Sequence, residues 1–284
     1  MITLLESINL STDYLSQKGI ESPRINSELL LADIIGCKRL DLYLSFDRPL
    51  SDLELKKYRE QIRRRANFEP LQYILGKVEF YGLELIVNRS VLIPRPETEI
   101  LVENIINRFQ KSDRQIILDI GCGSGNISIA LAVNLPGSKI IATDISEQAL
   151  NVASENARKN NLVNSIKFVR HDILKDNLDN FPMFDIVVSN PPYVSKKSFS
   201  SLQNEIKKFE PRTAVTDEGD GYTFFNAISA KVSNKIKETG KIFFEVADGQ
   251  SDEVKNILLK NNFTAIELFK DYQNIDRIVC GVRK

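Results

Sequence analysis

The chain has no surplus of charge: 38 Lys and Arg balance 38 Asp and Glu over 284 residues. A protein whose affinity rests on many phosphate contacts shows a basic excess or patch, so this balance weakens a duplex-binding reading. Cysteine is scarce. Cys37, Cys122 and Cys280 are far apart and odd in number. They show no CxxC or Cys/His spacing, so neither zinc nor a disulfide framework is implied, and no metal is expected. Three reduced thiols suit the cytosol. Histidine occurs once, as His171. No apolar run approaches the roughly 18 residues of a membrane helix, and the opening Met1-Ile2-Thr3-Leu4-Leu5-Glu6 lacks the basic start of a signal peptide. A cytoplasmic protein without a membrane partner is expected.

What is present is ordinary globular composition. With 42% hydrophobic residues, 15 Phe and 8 Tyr, the chain can build sizeable cores and is long enough for two domains. The first part reads as helices. Leu4, Leu5, Ile8 and Leu15 recur at helical spacing, and Ser22-Pro23 reads as an N-cap with proline at the first helical position. The stripe Ile25, Leu29, Ala32 runs on to a stop at Gly36. Ser51-Asp52-Leu53-Glu54 fits a capping box with Leu55, Tyr58, Ile62 and Ala66 on one face behind it. Arg63-Arg64-Arg65 on this helix reads as a solvated face. Val78, Phe80, Leu83, Leu85 and Val87 alternate with polar residues around Tyr81-Gly82, predicting a β-hairpin. Pro96 should start a helix with Glu97 and Glu99 in its first turn.

From residue 115 strands and helices alternate. Gln115–Ile120, Lys139–Ile145, Ser165–Arg170, Phe184–Ser189 and Lys241–Val246 are predicted strands; Ile127–Val133 and Glu147–Lys159 are predicted helices. Thr264–Phe269 and Arg277–Val282 should close the chain as an antiparallel pair. The pattern is that of a doubly wound α/β domain. Residues 196–220 form the one long irregular stretch, and loops of that length are often functional.

Two constellations carry chemistry. Asp119-Ile120-Gly121-Cys122-Gly123-Ser124-Gly125 follows a strand and opens a helix, a turn through which backbone can approach a ligand. Asp144, ending the next strand, can receive two ribose hydroxyls, and Asp172-Ile173 an adenine, the carboxylate taking the amino group. The alternatives are a helix-cap neighbour for Asp144 and a loop acid beside a core isoleucine for Asp172-Ile173. The turn reads G-x-G-x-G where a dinucleotide site prefers G-x-G-x-x-G, and His171 lies on the adenine side, so a hydride-transfer enzyme is a poor fit.

The second constellation is Asn190-Pro191-Pro192-Tyr193, which directly follows a strand whose carboxyl end should face the ligand crevice. Two prolines supply no N–H donors and hold the turn. The Asn190 amide oxygen and the Pro191 carbonyl remain as acceptors, and Tyr193 adds a flat face. Such a pocket suits an NH₂ group on a planar π system, a carboxamide or an adenine amine. Accepting both hydrogens of that nitrogen directs its lone pair and stabilises the positive charge that develops there during methylation. No strong base is needed, in keeping with the single histidine.

The glycine loop and the tetrad together resemble methyltransferases of the Rossmann-like, seven-stranded class. Further segments sharpen the likeness: Glu69 through Gly76, Phe80 through Leu83, Val91 through Glu99, Phe209-Glu210-Pro211-Arg212, and the ending Lys270-Asp271 through Asp276-Arg277. Each is similar to a segment of the protein-glutamine methyltransferases that modify peptide chain release factors. The resemblance implies a helical release-factor-docking domain over residues 1–75, a β-hairpin linker over 76–93 and an S-adenosylmethionine-dependent methyltransferase domain over 94–284. It implies a methyl group passed from S-adenosyl-L-methionine to the glutamine of a Gly-Gly-Gln motif. Asp119, Gly121, Cys122, Gly123, Ser124, Gly125, Asp144, Asp172, Ile173 and Asn190 would line the cofactor. Asn190, Pro191, Pro192 and Tyr193 would grip the glutamine as the catalytic set, with Arg95 and Glu97 near the entrance. A monomer with no direct nucleic-acid contact is expected. The chain departs from the family at Asp217-Glu218, where paired glycines are usual, at Cys122, where Thr is common, and at Ile173, where an aromatic is frequent.

Three other readings remain, and it is the segments flanking the tetrad and the neutral first domain, not the tetrad, that count against the first two. A sister enzyme methylates a glutamine of a ribosomal protein with an identical tetrad. A DNA or RNA adenine methyltransferase would use the same pocket, but those acting on DNA need a recognition region and a basic surface. Residues 1–70 here carry 11 basic and 11 acidic side chains. A cofactor-binding adaptor would not need the complete tetrad.

Overall fold

The computed structural model describes residues 2–109 and 114–284. They divide into two compact units, residues 1–77 with 203–209, and residues 78–202 with 210–284.

The first unit is helical: α1 Leu4–Gln17, α2 Pro23–Ile35, a 3₁₀ turn Arg39–Leu44, α3 Asp52–Ala66 and α4 Leu71–Leu75. Both α1 and α3 start with reciprocal capping boxes, Thr3 with Glu6 and Ser51 with Glu54. Leu4, Ile8, Leu15, Leu30, Leu31, Tyr58, Ile62 and Ala66 are buried in one apolar cluster.

Three local expectations need correction here. Ser22 is not a side-chain N-cap. Its backbone is left-handed (φ 49°) and its hydroxyl makes no capping bond; instead the Asn26 amide donates to the carbonyls of Glu21 and Ser22, 3.0 Å each. Of the expected stripe Ile25, Leu29, Ala32 on α2, Ala32 is buried and Leu29 half-buried, but Ile25 faces outward. Ile25 is 46% exposed, whereas Asn26, Ser27 and Glu28 are buried; polar partners await Asn26 and Glu28, while the Ser27 hydroxyl has none among the described residues. Glu28 receives Arg24, Arg39 and Tyr43.

Nor are all three arginines solvated. Arg63 is exposed, Arg64 pairs with Glu69 at 2.9 Å, and Arg65 is 5% exposed. The Arg65 guanidinium donates to Asn26 Oδ1 (2.6 Å), the Glu69 carbonyl (3.1 Å) and Glu205 Oε1 (2.6 Å). A buried charge is tolerated only when its donors are used. Arg65→Ala strands these acceptors and should cost about 3 kcal/mol, read as a lower urea midpoint; an unchanged midpoint would show the network to be energetically neutral.

In the second unit, β1 Lys77–Phe80 and β2 Leu83–Ile86 form the expected hairpin, turned by Tyr81 and Gly82 at φ 50° and 72°. Then come α5 Pro96–Ile106, β3 Ile116–Ile120, α6 Asn126–Asn134, β4 Lys139–Asp144, α7 Glu147–Lys159, β5 Ile166–Arg170 and β6 Phe184–Ser189. Residues 196–220 are not an irregular loop: they hold three short helices, α8 Lys196–Phe199, α9 Asn204–Phe209 and α10 Arg212–Val215, of which α9 belongs to the first unit. Each has about one turn, too short for apolar periodicity to register. The chain ends with α11 Thr223–Val232, β7 Ile236–Glu245, α12 Ser251–Lys260, β8 Phe263–Lys270 and β9 Asp276–Arg283.

The seven strands form one sheet, β5-β4-β3-β6-β7-β9-β8. Pairs from β5 through β7 are parallel, and β9 runs antiparallel to both β7 and β8. The strand order reverses between β3 and β6, the switch point beyond which ligands bind in open α/β sheets. Apolar clusters line both faces, one centred on Ile117, Ile129 and Ile186, the other on Leu118, Val187 and Phe225. Apolar runs such as Ile186-Val187-Val188 in β6 are what a sheet covered on both sides requires.

Candidate active site

The strand order lays the site out along one edge. Asp144 ends β4, the glycine loop leaves β3, Asn190 follows β6 and Glu245 ends β7. The neighbours β3 and β6 are tied at this edge by Ser189 Oγ, which donates to the Ile120 carbonyl at 2.7 Å.

In the glycine loop, the N–H groups of Gly121 and Cys122 both donate to the Thr143 carbonyl, at 2.8 and 2.9 Å. Gly123 N–H donates to Asp144 Oδ2 and Ser146 N–H to Asp144 Oδ1, each at 2.9 Å. Asp144 therefore both organises the loop and sets up the start of α7, where Ser146 caps the helix. Each of its oxygens keeps a further lone pair for a ligand hydroxyl. Gly121 and Gly123 have left-handed backbone with open space where a Cβ would stand, whereas a Cβ on Gly125 would meet Ala153 Cβ at 3.1 Å. The first two glycines thus keep a cradle clear, and the third lets α6 and α7 approach. An S-adenosylmethionine ligand fits this cradle in type: backbone at an open turn, then an acid able to take hydroxyls.

Three loop residues are inward. Asp119, Cys122 and Ser124 are at most 2% exposed. Asp119 Oδ2 accepts from Ser128 Oγ at 2.6 Å, while Oδ1 has no partner among the described residues. Burial, opposed by the Ser128 bonds, pushes the Asp119 carboxyl up from 3.8 to about 7. The folded state therefore holds this proton longer than the unfolded chain. Its stabilising contribution is complete below about pH 3.8 and is lost as pH rises through about 7, at up to about 1.4 kcal/mol per pH unit. Asp119→Asn should flatten that part of the unfolding free energy against pH, measured in urea at several pH values; an unaltered slope would refute it.

Asp172 and Ile173 lie beyond β5, and no hydrogen bond joins them to the glycine loop among the described residues. Asp172 Oδ1 accepts from Leu174 N–H at 3.0 Å and Oδ2 lies 3.4 Å from Lys175 Nζ. Ile173 is 5% exposed and packs in the cluster that contains Ile120. His171 is buried against Phe181, and that burial lowers its pKa.

At the tetrad, Asn190 Nδ2 donates to Thr98 Oγ1 at 3.2 Å. Pro191 is buried and Pro192 half-buried. The Tyr193 carbonyl accepts from Gln250 Nε2 at 3.1 Å, and Gln250 also reaches the Gly221 carbonyl. Burial drives the Tyr193 phenol well above its ordinary range; Glu245 and Glu97 push the same way, while Arg95 and Arg277 oppose. Arg95 pairs with the buried Glu210, whose Oε2 accepts from Ile93 N–H at 3.2 Å. The charges of Arg95 and Glu97 thus reach the Tyr193 phenol.

The departure at Asp217-Glu218 has a local explanation. Glu218 occupies left-handed backbone, φ 57°, the conformation a glycine adopts freely. Arg212 pairs with Glu218, and Asp217 accepts from the N–H groups of Gly219, Gly221 and Thr223. Side-chain bonds hold here the turn that glycines would allow.

Sequence reasoning passed over three residues. Thr98 reads only as part of a helix start, Glu245 as an interior position of the strand 241–246, and Asn156 as one position of the helix 147–159. For Glu245 a signal existed, an acid closing the apolar run Ile242-Phe243-Phe244. Asn156 is fully buried and offered none.

The family model described as PrmC N-terminal domain matches residues 6–76, and the one described as Methyltransferase small domain matches residues 96–210. The Release factor glutamine methyltransferase of Fusobacterium nucleatum is 39% identical over 98% of this chain and 78% of its own length. That of Chlorobaculum tepidum is 38% identical over 97% of this chain and 95% of its own. Among solved structures, a methyltransferase from Pyrococcus furiosus shares the fold with a TM-score of 0.52 at 16% identity, covering 79% of this chain and 98% of that one. With identity at this level sustained over nearly its whole length, the chain belongs to the release factor glutamine methyltransferase family.

Proposed function

We propose that this protein transfers a methyl group from S-adenosyl-L-methionine to the side-chain amide nitrogen of the glutamine in the Gly-Gly-Gln motif of peptide chain release factors. The observation that carries this reading is the orientation of Asn190. Its NH₂ is taken by Thr98, which leaves Oδ1 as the acceptor offered to an incoming NH₂ group. Pro191 and Pro192 add no competing donor. The cofactor, when bound, supplies an electrophilic sulfonium methyl. The protein's part is to hold an amide nitrogen by both hydrogens, directing its lone pair and stabilising the charge that forms on it. Holding reactants in line supplies roughly 7–11 kcal/mol of the barrier. The nitrogen then loses a proton to water, giving the N-methylamide. Gly121, Gly123 and Asp144 are assigned to the cofactor, with Asp119, Cys122, Ser124 and Gly125 shaping the loop and Asp172 and Ile173 toward its adenine. Arg95 and Glu97 are assigned to the entrance, and the helical first unit to docking the release factor.

Labelled methyl transfer to a purified release factor tests the proposal, with the Gly-Gly-Gln glutamine intact or changed to alanine. Label should appear on the first and not on the second. Label persisting on the alanine variant, or appearing only on a ribosomal-protein glutamine, would refute the target.

A further inference from the structure

The Asn190 side chain presents its oxygen only if its NH₂ stays turned inward. Thr98 Oγ1 accepts one of those hydrogens, but a hydroxyl can act as donor or acceptor and does not by itself choose. The choice needs a group that accepts only. Glu245, at the end of β7, is 2% exposed, and the register that pairs Ser189 with Phe244 sets it beside Asn190; Thr98 and Asn190 both lower its carboxyl against the effect of burial. Its Oε2 has no partner among the described residues, so this carboxyl is not neutralised by a salt bridge. A buried, unpaired acid is expensive as a structural filler.

We propose that Glu245 is a positioning residue for methyl transfer, acting through Thr98 to fix the Asn190 amide with its oxygen toward the acceptor. The proposal rests on the function given above. Ionised Glu245 accepts the Thr98 O–H, which leaves the Thr98 lone pairs for Asn190 Nδ2–H. Protonated Glu245 becomes a donor, the direction of the relay is no longer fixed, and Asn190 can turn its NH₂ toward the substrate NH₂. Donor would then face donor. The charged and titratable groups around Glu245 are Glu97 on α5, Arg277 on β9 and Tyr193 after β6. Burial, chiefly, raises the carboxyl to about 7, Glu97 adding to this and Arg277 opposing it.

The test is the single-turnover rate of methyl transfer to a release factor, measured against pH, together with cofactor affinity. Thr98→Val and Glu245→Gln should each slow transfer about 100-fold, the scale of a misplaced reacting group, with cofactor affinity within about threefold. Thr98→Ser, which keeps the hydroxyl, should stay near wild type, and the double variant should be no slower than the worse single, because both act on one relay. Wild-type rates should fall as pH drops through about 7, and Glu245→Gln should lose that limb, a change that loosened packing would not produce. Wild-type turnover by Thr98→Val, or an unchanged acid limb in Glu245→Gln, would overturn the proposal. If Glu245→Gln does not fold, the Thr98→Val and Thr98→Ser pair decides alone. No label on the release factor from the wild-type protein would refute the function itself, and the relay with it.

Discussion

Asn190→Ala should slow methyl transfer about a thousandfold while S-adenosylmethionine affinity stays within a few-fold. The magnitude follows from what the side chain does. Removing one preorganised group that stabilises transition-state charge costs about 10²–10³ in kcat. Here the same deletion also frees the acceptor amide to rotate, so orientation is lost as well. The cofactor loop is built independently of Asn190. Its bonds run from Gly121 and Cys122 to Thr143 and from Gly123 to Asp144, and none is touched by the substitution. Single-turnover transfer and calorimetric cofactor binding separate the two effects. Near-normal turnover by Asn190→Ala would sink the assigned mechanism, and a parallel collapse of cofactor binding would move Asn190 from acceptor to cofactor site.

The features legible in the sequence are those whose signal is local. The glycine loop declares itself because left-handed backbone at Gly121, Gly123 and Gly125 needs glycine. The tetrad does so because prolines remove donors wherever they stand, and β6 because a twice-covered strand needs an apolar run such as Ile186-Val187-Val188. Features that depend on distant partners were hidden. Arg65 looks like one of three surface arginines until Asn26 and Glu205, 39 positions before it and 140 after it, close around its guanidinium. Glu28 carries no local signal, and its burial depends on two arginines and Tyr43 converging on it. Ser22 has the composition of a cap and stands at the cap position, but its hydroxyl makes no capping bond; Asn26 instead donates back to the carbonyls of Glu21 and Ser22. In the site, Thr98 and Glu245 are 147 positions apart in sequence, and adjacency of β6 and β7 brings Glu245 beside Asn190. No spacing rule reports such a meeting. The tetrad identifies a planar NH₂ as acceptor, and glutamine over adenine rests on likeness along the rest of the chain.

Asn156→Ala should have the largest effect on stability. Asn156 is fully buried on α7 and uses its amide three ways. Its Oδ1 accepts from Ile86 N–H at 2.7 Å, and its Nδ2 donates to the Ile86 carbonyl at 2.9 Å and the Ser124 carbonyl at 3.0 Å. The amide thus substitutes for a strand partner at the end of β2 and pins the cofactor loop at Ser124. Alanine leaves three backbone groups without this partner. An unsatisfied buried group costs about 1–3 kcal/mol, and partial solvent access at Ile86 lowers its share, so about 3–4 kcal/mol is expected in all. Asn156→Leu keeps the volume but not the bonds, so a similar loss from both variants would assign the effect to hydrogen bonding, and a loss from alanine alone would assign it to packing. The unfolding midpoint in urea should fall with the m-value unchanged, and the Ile86 amide should exchange its hydrogen faster. Cofactor affinity should fall as well, since Ser124 belongs to the loop whose open turn receives the ligand. A variant as stable as wild type, with full cofactor affinity, would show that the hairpin and the glycine loop hold their places without Asn156.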